Sequence, residues 1–414
     1  MHRRGLLLCA VLIACAHPPR GGAPRPVPSV HAGASTEAAP GEPRPRAREL
    51  GIPFDGTPGP LDAITDVEGV EVGHRTLISG DGKLVVGKGP VRTGVTAIFP
   101  RGKTSTDAVF AGWFSLNGNG EMTGTTWIDE AGQLFGPVLL TNTHSVGVVR
   151  DTTIKWALER LKPPEELEDA FSLPVVAETW DGRLNDIFGF HVHPEDVYAA
   201  LDGAARGPVT EGSVGGGTGM VCHGFKGGIG TASRVVETAV GEFRVGVLVQ
   251  CNYGLRPQLH IAGIPVGAEL EAQDHASSGR GPDPTAEHGS IIVIVATDAP
   301  LLPHQLKRLA RRVPLALGRM GSVSGDSSGD IFLAFSTANP HVADHATIAA
   351  VKSFPNAEIT WLFEATVDAT EEAIVNALVA GRTMTGVNGE TVEGLPHDRV
   401  REILRAHQRL VEPH

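Results

Sequence analysis

Gly289-Ser290 stands where a polar, breaker-rich stretch, Glu271 to Gly289, gives way to the apolar run Ile291-Ile-Val-Ile-Val295. A serine at such a strand entrance can attack the carbonyl before it, and a preceding glycine hinders attack least and tolerates a strained backbone. An N-to-O shift to an ester, followed by hydrolysis, would make Ser290 the start of a new chain. One residue would then hold a nucleophilic hydroxyl and, in its α-amine, a base. A terminal amine has an intrinsic pKa of roughly 8, close enough to neutral to accept a proton when its geometry is fixed. Taken alone, Gly-Ser also begins many ordinary strands.

Other segments with chemical potential surround this pair. Gly325-Asp-Ser-Ser-Gly-Asp330 leads into Ile331-Phe-Leu-Ala-Phe-Ser-Thr-Ala-Asn339. Upstream lie Gly120-Glu-Met-Thr-Gly-Thr125, Leu140-Thr-Asn-Thr-His-Ser-Val-Gly147, Val175-Val-Ala-Glu-Thr-Trp-Asp-Gly182, Gly212-Ser-Val-Gly-Gly-Gly-Thr-Gly219 and Val247-Leu-Val-Gln-Cys-Asn-Tyr-Gly254. In this order, over about Leu50 to Asn339, they resemble the S58 (P1) family of self-processing aminopeptidases, which includes L-aminopeptidase/D-alanyl-esterase/amidases and β-peptidyl aminopeptidases. The resemblance implies an α+β, four-layer α/β/β/α sandwich like that of N-terminal-nucleophile hydrolases. It implies one catalytic domain, 49–414, cleaved at Gly289–Ser290 into an α-subunit (49–289) and a β-subunit (290–414), with αβ units assembling into a homo-oligomer.

The resemblance also assigns roles. Ser290 is the nucleophile, Ser328 hydrogen-bonds its amine and hydroxyl, and Asp330 holds the amine. Asn252 donates its side-chain amide to the oxyanion, and Glu178 receives the free ammonium of a small peptide, amide or ester. Trp180 departs from members that carry tyrosine there; an indole N–H donates but cannot accept, so Trp180 either shares in oxyanion binding or only walls the pocket. L-α-, D-α- and β-amino-acid substrates are not separated at this level.

Each position also has an ordinary reading. Ser327 to Asp330 has the composition of a turn, and Asn252 could simply end a strand. Glu121, Glu130 and Asp181 compete with Glu178 as acids in the same motifs. Gly212 to Gly219 lacks the Lys-Ser/Thr of a phosphate loop and the full GxGxxG spacing, so it is expected to serve close backbone packing near the site. His144 precedes a helix and is expected to be structural, since the terminal amine replaces a histidine base. The seventeen histidines include no HExxH, and the four cysteines no CxxC, so neither metal nor cofactor is expected.

A net charge of −12 argues against sequence-independent nucleic-acid binding and favours cationic ligands such as a peptide's amino end. Met1-His-Arg-Arg-Gly5, followed by Leu6 to Cys15, has the basic start and short apolar core of an export signal, too short for a mature span of roughly 20 residues. Leu12-Ile-Ala-Cys15 resembles a lipobox. Residues 1–15 are therefore read as a lipoprotein-type signal peptide with Cys15 lipidated, an ordinary signal cut at a later alanine being the alternative. The product would be exported, periplasmic or membrane-anchored. Residues 16–48, rich in Pro, Ala, Gly and Arg, are read as a flexible linker. Cys222 and Cys251 lie in apolar strand-like runs and are expected to be buried small hydrophobes, although export would permit pairing.

Short β-like runs occur at Ile64 to Val67, Val95 to Phe99, Ala108 to Phe114, Pro137 to Thr141, Val245 to Cys251 and Asp330 to Ser336. Helical spacing covers Ser145 to Leu161, stopped by Pro163-Pro164. A second helix, His304 to Arg319, should kink or end early at Pro314. A third should start at Thr370, with Glu371 and Glu372 in its first turn, and end near Gly381. Two further functions compete: acyl transfer of the ornithine acetyltransferase type, whose threonine motif Ser290-Ile-Ile-Val293 does not match, and a non-enzymatic envelope lipoprotein, disfavoured by the presence of Ser290, Ser328 and Asp330.

Overall fold

The computed structural model describes residues 45–161, 172–275, 289–343 and 348–411. Contacts divide the chain between Pro43 and Arg44, and the elements belong to the part from Arg44 onward. The signal peptide with Cys15, most of the linker, Pro163-Pro164 and the stretch Ser277 to Pro284 lie outside the described residues.

In chain order the strands are β1 (Glu71–Ser79), β2 (Val91–Phe99), β3 (Val109–Ser115), β4 (Gln133–Leu134), β5 (Val138–Asn142), β6 (Val175–Thr179), β7 (Val221–Cys222), β8 (Phe225–Lys226), β9 (Gly228–Thr238), β10 (Gly241–Asn252), β11 (Ser290–Thr297), β12 (Ile331–Ser336), β13 (Met384–Thr385) and β14 (Thr391–Val392). The helices are α1 (Thr125–Ala131), α2 (Val146–Leu161), α3 (Pro194–Asp202), α4 (Val266–His275), α5 (Pro303–Ala310), α6 (Val313–Arg319), α7 (Ile359–Ala380) and α8 (His397–Ala406). A four-stranded sheet runs β1-β2-β5-β6 and a six-stranded sheet β4-β3-β12-β11-β10-β9.

Apolar residues sort into three layers. Ile98, Leu140 and Ala177 of the smaller sheet meet Leu248, Ile292, Ile294 and Leu333 of the larger one. The other face of the smaller sheet, with Val95, Ala97 and Leu139, packs on α2 and α3 through Val149, Trp156 and Leu201. The other face of the larger sheet, with Val247, Ile291, Val293 and Val295, packs on α5 and α7 through Leu306, Leu309, Ile374 and Leu378. This is the α/β/β/α sandwich expected. It explains why β11 reads as an unbroken apolar run: alternate residues point to opposite faces, and both faces are buried.

Several expectations need correction. Ile64 to Asp66 is a short 3-10 turn instead of a strand, because Asp66 carboxylate oxygens accept from the Leu61 and Ala63 amides at 3.0 and 3.2 Å, a local alternative to ladder bonding. Thr370 does not start a helix. It lies in the middle of α7, with its hydroxyl donating back to the Thr366 carbonyl at 2.6 Å. The break near Pro314 is real: α5 ends at Ala310, and Pro314 occupies the first turn of α6. Glu271 to His275, expected in the loop, close α4. Cys222 and Cys251 are buried as expected, but they are joined as a disulfide and are not free thiols.

Arg46 to Arg48, assigned above to the linker, are built into the fold. Arg46 pairs with Asp62 and Glu211, and the Ala47 amide donates to Asn376 Oδ1 at 3.0 Å. Arg48 gives Glu372 two hydrogen bonds, at 2.7 and 2.8 Å. The fully buried Glu372 carboxylate also holds Arg234 at 2.8 Å, joining β9, α7 and residues 46–48. Removing one member of a buried pair leaves the other charge uncompensated, typically costing about 3–5 kcal/mol. We expect Glu372→Ala to lose stability in that range by urea titration, whereas a loss below about 1 kcal/mol, the worth of a surface pair, would show that the cluster does not hold these elements together.

Candidate active site

Ser290 is the first residue of β11, and antiparallel pairing places it opposite Asn252, the last residue of β10. Its side chain is nearly buried, with 6% exposure, and its Oγ accepts a hydrogen bond from the Gly329 amide at 3.0 Å. Gly289 approaches the neighbouring strand so closely that a Cβ would lie 2.1 Å from the Asn252 carbonyl oxygen. Glycine before Ser290 is thus required by packing here, besides being favourable for attack.

The turn entering β12 carries Ser328 and Asp330, both fully buried. Ser328 Oγ donates to Asp330 Oδ1 at 2.6 Å, and the same oxygen accepts from the Ile291 amide at 3.2 Å. A hydrogen bond to the Ser290 hydroxyl comes from the Gly329 amide; Asp330 engages the backbone one residue further on, and Ser328 supports that carboxylate. Asn117 and Asn119 escaped the sequence reading. Asn117 Oδ1 accepts from the Asp330 amide at 2.7 Å and its Nδ2 donates to the Gly325 carbonyl at 3.1 Å, while Asn119 Nδ2 donates to the Ser327 carbonyl at 2.7 Å. Their only sequence signal was the alternating Asn-Gly pattern of a turn after β3.

Asn252 is held by its neighbours. Oδ1 accepts from the Val221 amide at 2.8 Å, and Nδ2 donates to the Trp180 carbonyl at 3.0 Å, which leaves the second amide N–H for a ligand. The Cys222–Cys251 disulfide joins the residue after Val221 to the residue before Asn252, cross-linking the two segments that set this orientation. Trp180 is 41% exposed, forms a wall of the cleft and contributes its carbonyl to Asn252.

Glu178 arrives from the other sheet, near the end of β6. Thr141 of β5 pairs with it in register, bringing Thr143 alongside. Oε1 accepts from the Glu121 amide at 2.9 Å and Oε2 accepts a short hydrogen bond from the Thr143 hydroxyl. Burial raises the Glu178 pKa, and these two hydrogen bonds partly oppose the shift. Among the competing acids, Asp181 is fully buried and accepts from Asn185; burial pushes its pKa up to about 7. Glu130 is exposed. Glu178 and Glu121 share with Ser290, Gly289, Thr143 and Trp180 a cleft of about 580 Å³.

His144 makes a 3.3 Å contact to the Ile187 carbonyl and packs against Phe188 and Phe190. The Gly212 to Gly219 segment is close-packed: a Cβ on Gly216 would stand 2.2 Å from Gln250 Oε1, and one on Gly217 would stand 2.5 Å from the Ile229 amide. Among the described residues, no cluster of three or more His, Cys, Asp or Glu could hold a metal ion, and no helix is long and apolar enough to cross a membrane. A serine hydroxyl and a buried carboxylate in one cleft, with an amide donor opposite the serine across the strand pair, form a constellation suited to acyl transfer from a substrate bearing a cation.

Comparison with known proteins agrees with this geometry. The model of peptidase family S58 matches residues 62–392. The β-peptidyl aminopeptidase BapA of Sphingosinicella microcystinivorans is 55% identical over 393 residues, covering 92% of this chain and 98% of that protein. BapA of Sphingosinicella xenopeptidilytica is 52% identical over 369 residues, covering 87% of this chain and 91% of that protein. The structure of the L-aminopeptidase D-Ala-esterase/amidase of Ochrobactrum anthropi, a serine aminopeptidase with a variant of the Ntn-hydrolase fold, aligns with a TM-score of 0.81 at 47% identity, over 89% of this chain and all of that one.

Gly329 tests the site's local architecture. A Cβ there would lie 2.4 Å from the Asn119 carbonyl oxygen, whereas one on Gly118 would meet nothing within 4 Å. We expect Gly329→Ala to displace the amide that holds Ser290 Oγ and to lower kcat/KM by about 10² or more, the scale of a lost active-site donor, with Gly118→Ala near wild type. Equal activity of the two variants, measured on folded protein, would contradict this arrangement.

Proposed function

This chain belongs to peptidase family S58 and is an aminopeptidase, and from that premise we propose that it is self-processing, with Ser290 as nucleophile and β-amino-acid residues as its preferred N-terminal substrates. The near-full-length identity to two β-peptidyl aminopeptidases supports the β-peptidyl preference. The observation that carries the mechanism is the joint placement of Ser290 and the buried Glu178 carboxylate in one cleft. Neither acyl transfer of the ornithine acetyltransferase type nor a non-enzymatic role finds support in the family match.

In the maturation step, Ser290 Oγ adds to the Gly289 carbonyl carbon. The Gly289–Ser290 C–N bond breaks, an ester forms, and the nitrogen leaves as the α-amine of Ser290. Water then cleaves the ester, giving a Gly289 carboxylate and a free hydroxyl. In turnover the amine takes the Oγ proton as Oγ adds to the substrate carbonyl and passes it to the departing nitrogen as the C–N bond breaks; water then hydrolyses the acyl ester on Oγ, releasing the N-terminal amino acid and restoring the hydroxyl. The second N–H of Asn252 faces the developing oxyanion, while Ser328 and Asp330 hold the start of β11. Glu178 binds the substrate ammonium. Assembly of αβ units into a homo-oligomer is part of the same proposal.

Purified wild-type protein should show two pieces on a denaturing gel, the smaller beginning at Ser290. Ser290→Ala should remain one folded chain and hydrolyse nothing; a single intact and active wild-type band would refute self-processing.

The Glu178 shift gives a pH test. Its carboxylate must be ionised to bind an ammonium, and burial raises its pKa above the ordinary glutamate value of 4.5. Binding is therefore present above the raised pKa and lost as pH falls through it. For 3-aminopropanol as a competitive inhibitor, we expect affinity to fall with an acid midpoint above 4.5. Thr143→Val, which removes a donor that lowers this pKa, should move the midpoint upward. An inhibitor midpoint unchanged by Thr143→Val and Glu178→Gln would exclude Glu178 as the ammonium site.

We further propose export with lipidation at Cys15. The signal-like start supports it, as does the Cys222–Cys251 disulfide, since such bonds persist in oxidising compartments. Cys15→Ala should release the protein from the membrane fraction or block signal removal, whereas unchanged fractionation with a mature start beyond residue 15 would favour an ordinary signal peptide.

A further inference from the structure

Two clefts adjoin at the wall formed by Trp180 and Gly289, and their charges are opposite. The Ser290 side carries Glu178 and Glu121. The other cleft, about 390 Å³, is lined by Arg183 and Arg256 and, among the described residues, by no acid; Asn252 also lines it. The aminopeptidase chemistry uses the acidic side and, from the basic side, Asn252; it leaves Arg183 and Arg256 without a role.

Arg256 is set in position. Its guanidinium lies 4.2 Å from the centroid of the Phe225 ring, and Nη2 donates to the Gly224 carbonyl at 2.9 Å. Nη1 stands 3.7 Å from Asp274 Oδ2, but Asp274 also meets Arg399 at 2.9 Å, so one carboxylate is shared between two guanidiniums. Arg183 pairs with Glu390 at 2.8 Å, with both side chains nearly half exposed. Such a surface pair is weak, and a ligand can compete for the arginine. An arginine fork matches a carboxylate in shape as well as charge.

We propose that Arg256, with Arg183 beside it, binds the free C-terminal carboxylate of a short peptide whose N-terminal ammonium sits at Glu178, so that the enzyme selects zwitterionic dipeptides and tripeptides over C-terminally blocked ones. This rests on reading the Ser290 cleft as an aminopeptidase site. Opposite charges at the two ends fix the direction of binding: a reversed peptide would place ammonium against guanidinium and carboxylate against Glu178. The scissile carbonyl then lies between them, where Ser290 and Asn252 converge, and the departing residue leaves toward the basic cleft.

The test uses processed enzyme and three matched substrates: β-alanyl-alanine, its C-terminal amide, and its N-acetyl derivative. The free acid is expected to have a kcat/KM about tenfold or more above that of the amide, the scale of one charge-assisted carboxylate contact, expressed mainly in KM. In Arg256→Gln the acid-to-amide ratio should fall toward one, and Arg183→Gln should lower it less. Equal kcat/KM for acid and amide in wild-type enzyme overturns the inference while leaving the aminopeptidase reading intact; that result is expected if Arg256 instead holds the carboxylate freed at Gly289. A full ratio in both folded variants overturns it as well. Should Arg256→Gln fail to fold, Arg256→Lys, which keeps the charge but loses the fork, decides the matter: a reduced ratio supports the proposal and an undiminished one overturns it. Cleavage of the N-acetyl derivative as readily as the free amine refutes the aminopeptidase reading itself.

Discussion

Burial of β11 on both faces is the constraint on which the site depends. Ile292, Ile294 and Ala296 fill the space between the sheets, and Ile291, Val293 and Val295 pack beneath the helices. A slip of one residue would exchange the two sets and mismatch both layers. The strand therefore has one register, Asn252 opposite Ser290 and Ile292 beside Ile331. That register brings the Ser290 hydroxyl to the Gly329 amide and the Asn252 side chain to the same strand end. The proposed chemistry is thus positioned by apolar packing well away from the reacting atoms.

The acidic half of the cleft depends on the other sheet. Glu178 lies near the end of β6, Thr143 just beyond β5, and Ser290 at the start of β11 in the facing sheet, so the inter-sheet core sets the spacing between the ammonium site and the hydroxyl. Face-to-face sheets stand about 10 Å apart, which leaves room for a short substrate to lie across the gap. The disulfide then ties β7 to the end of β10 beside Asn252, and Asn117 and Asn119 fix the turn before β12. Arg48, Arg234 and Glu372 tie the outer helix to β9, away from the cleft, and stabilise the scaffold without entering the chemistry.

Much of this was legible in the chain. The apolar run after Ser290 and the turn Ser327 to Asp330 reported a strand and a strand entrance, because each depends on local residue types; the close approach to the Asn252 carbonyl that demands glycine at 289 depends on the neighbouring strand and was not legible. The four-layer arrangement came from resemblance; periodicity alone does not tell which face of a two-sided strand meets which layer. Thr370 misled because a threonine before two glutamates reads as a helix start, whereas here its hydroxyl bonds back within the long helix, Glu371 pairs with Arg319 of α6 and Glu372 holds the buried Arg234. Ile64 to Val67 failed for a similar reason, since the Asp66 side chain satisfied backbone amides that a strand would have paired. The roles of Asn117, Asn119 and Thr143 were hidden because their partners lie 213, 208 and 35 residues away in sequence.

The proposed mechanism stands on one serine serving maturation and turnover, and trapping the acyl-enzyme tests that directly. Processed protein is mixed with an activated β-alanyl ester, quenched in acid within the first turnover and digested for peptide mass analysis. A β-alanyl group is expected on the Oγ of Ser290, in a peptide whose first residue is Ser290. An acyl group on any other side chain, or the same modification of Ser290 in an uncleaved chain, would contradict the mechanism.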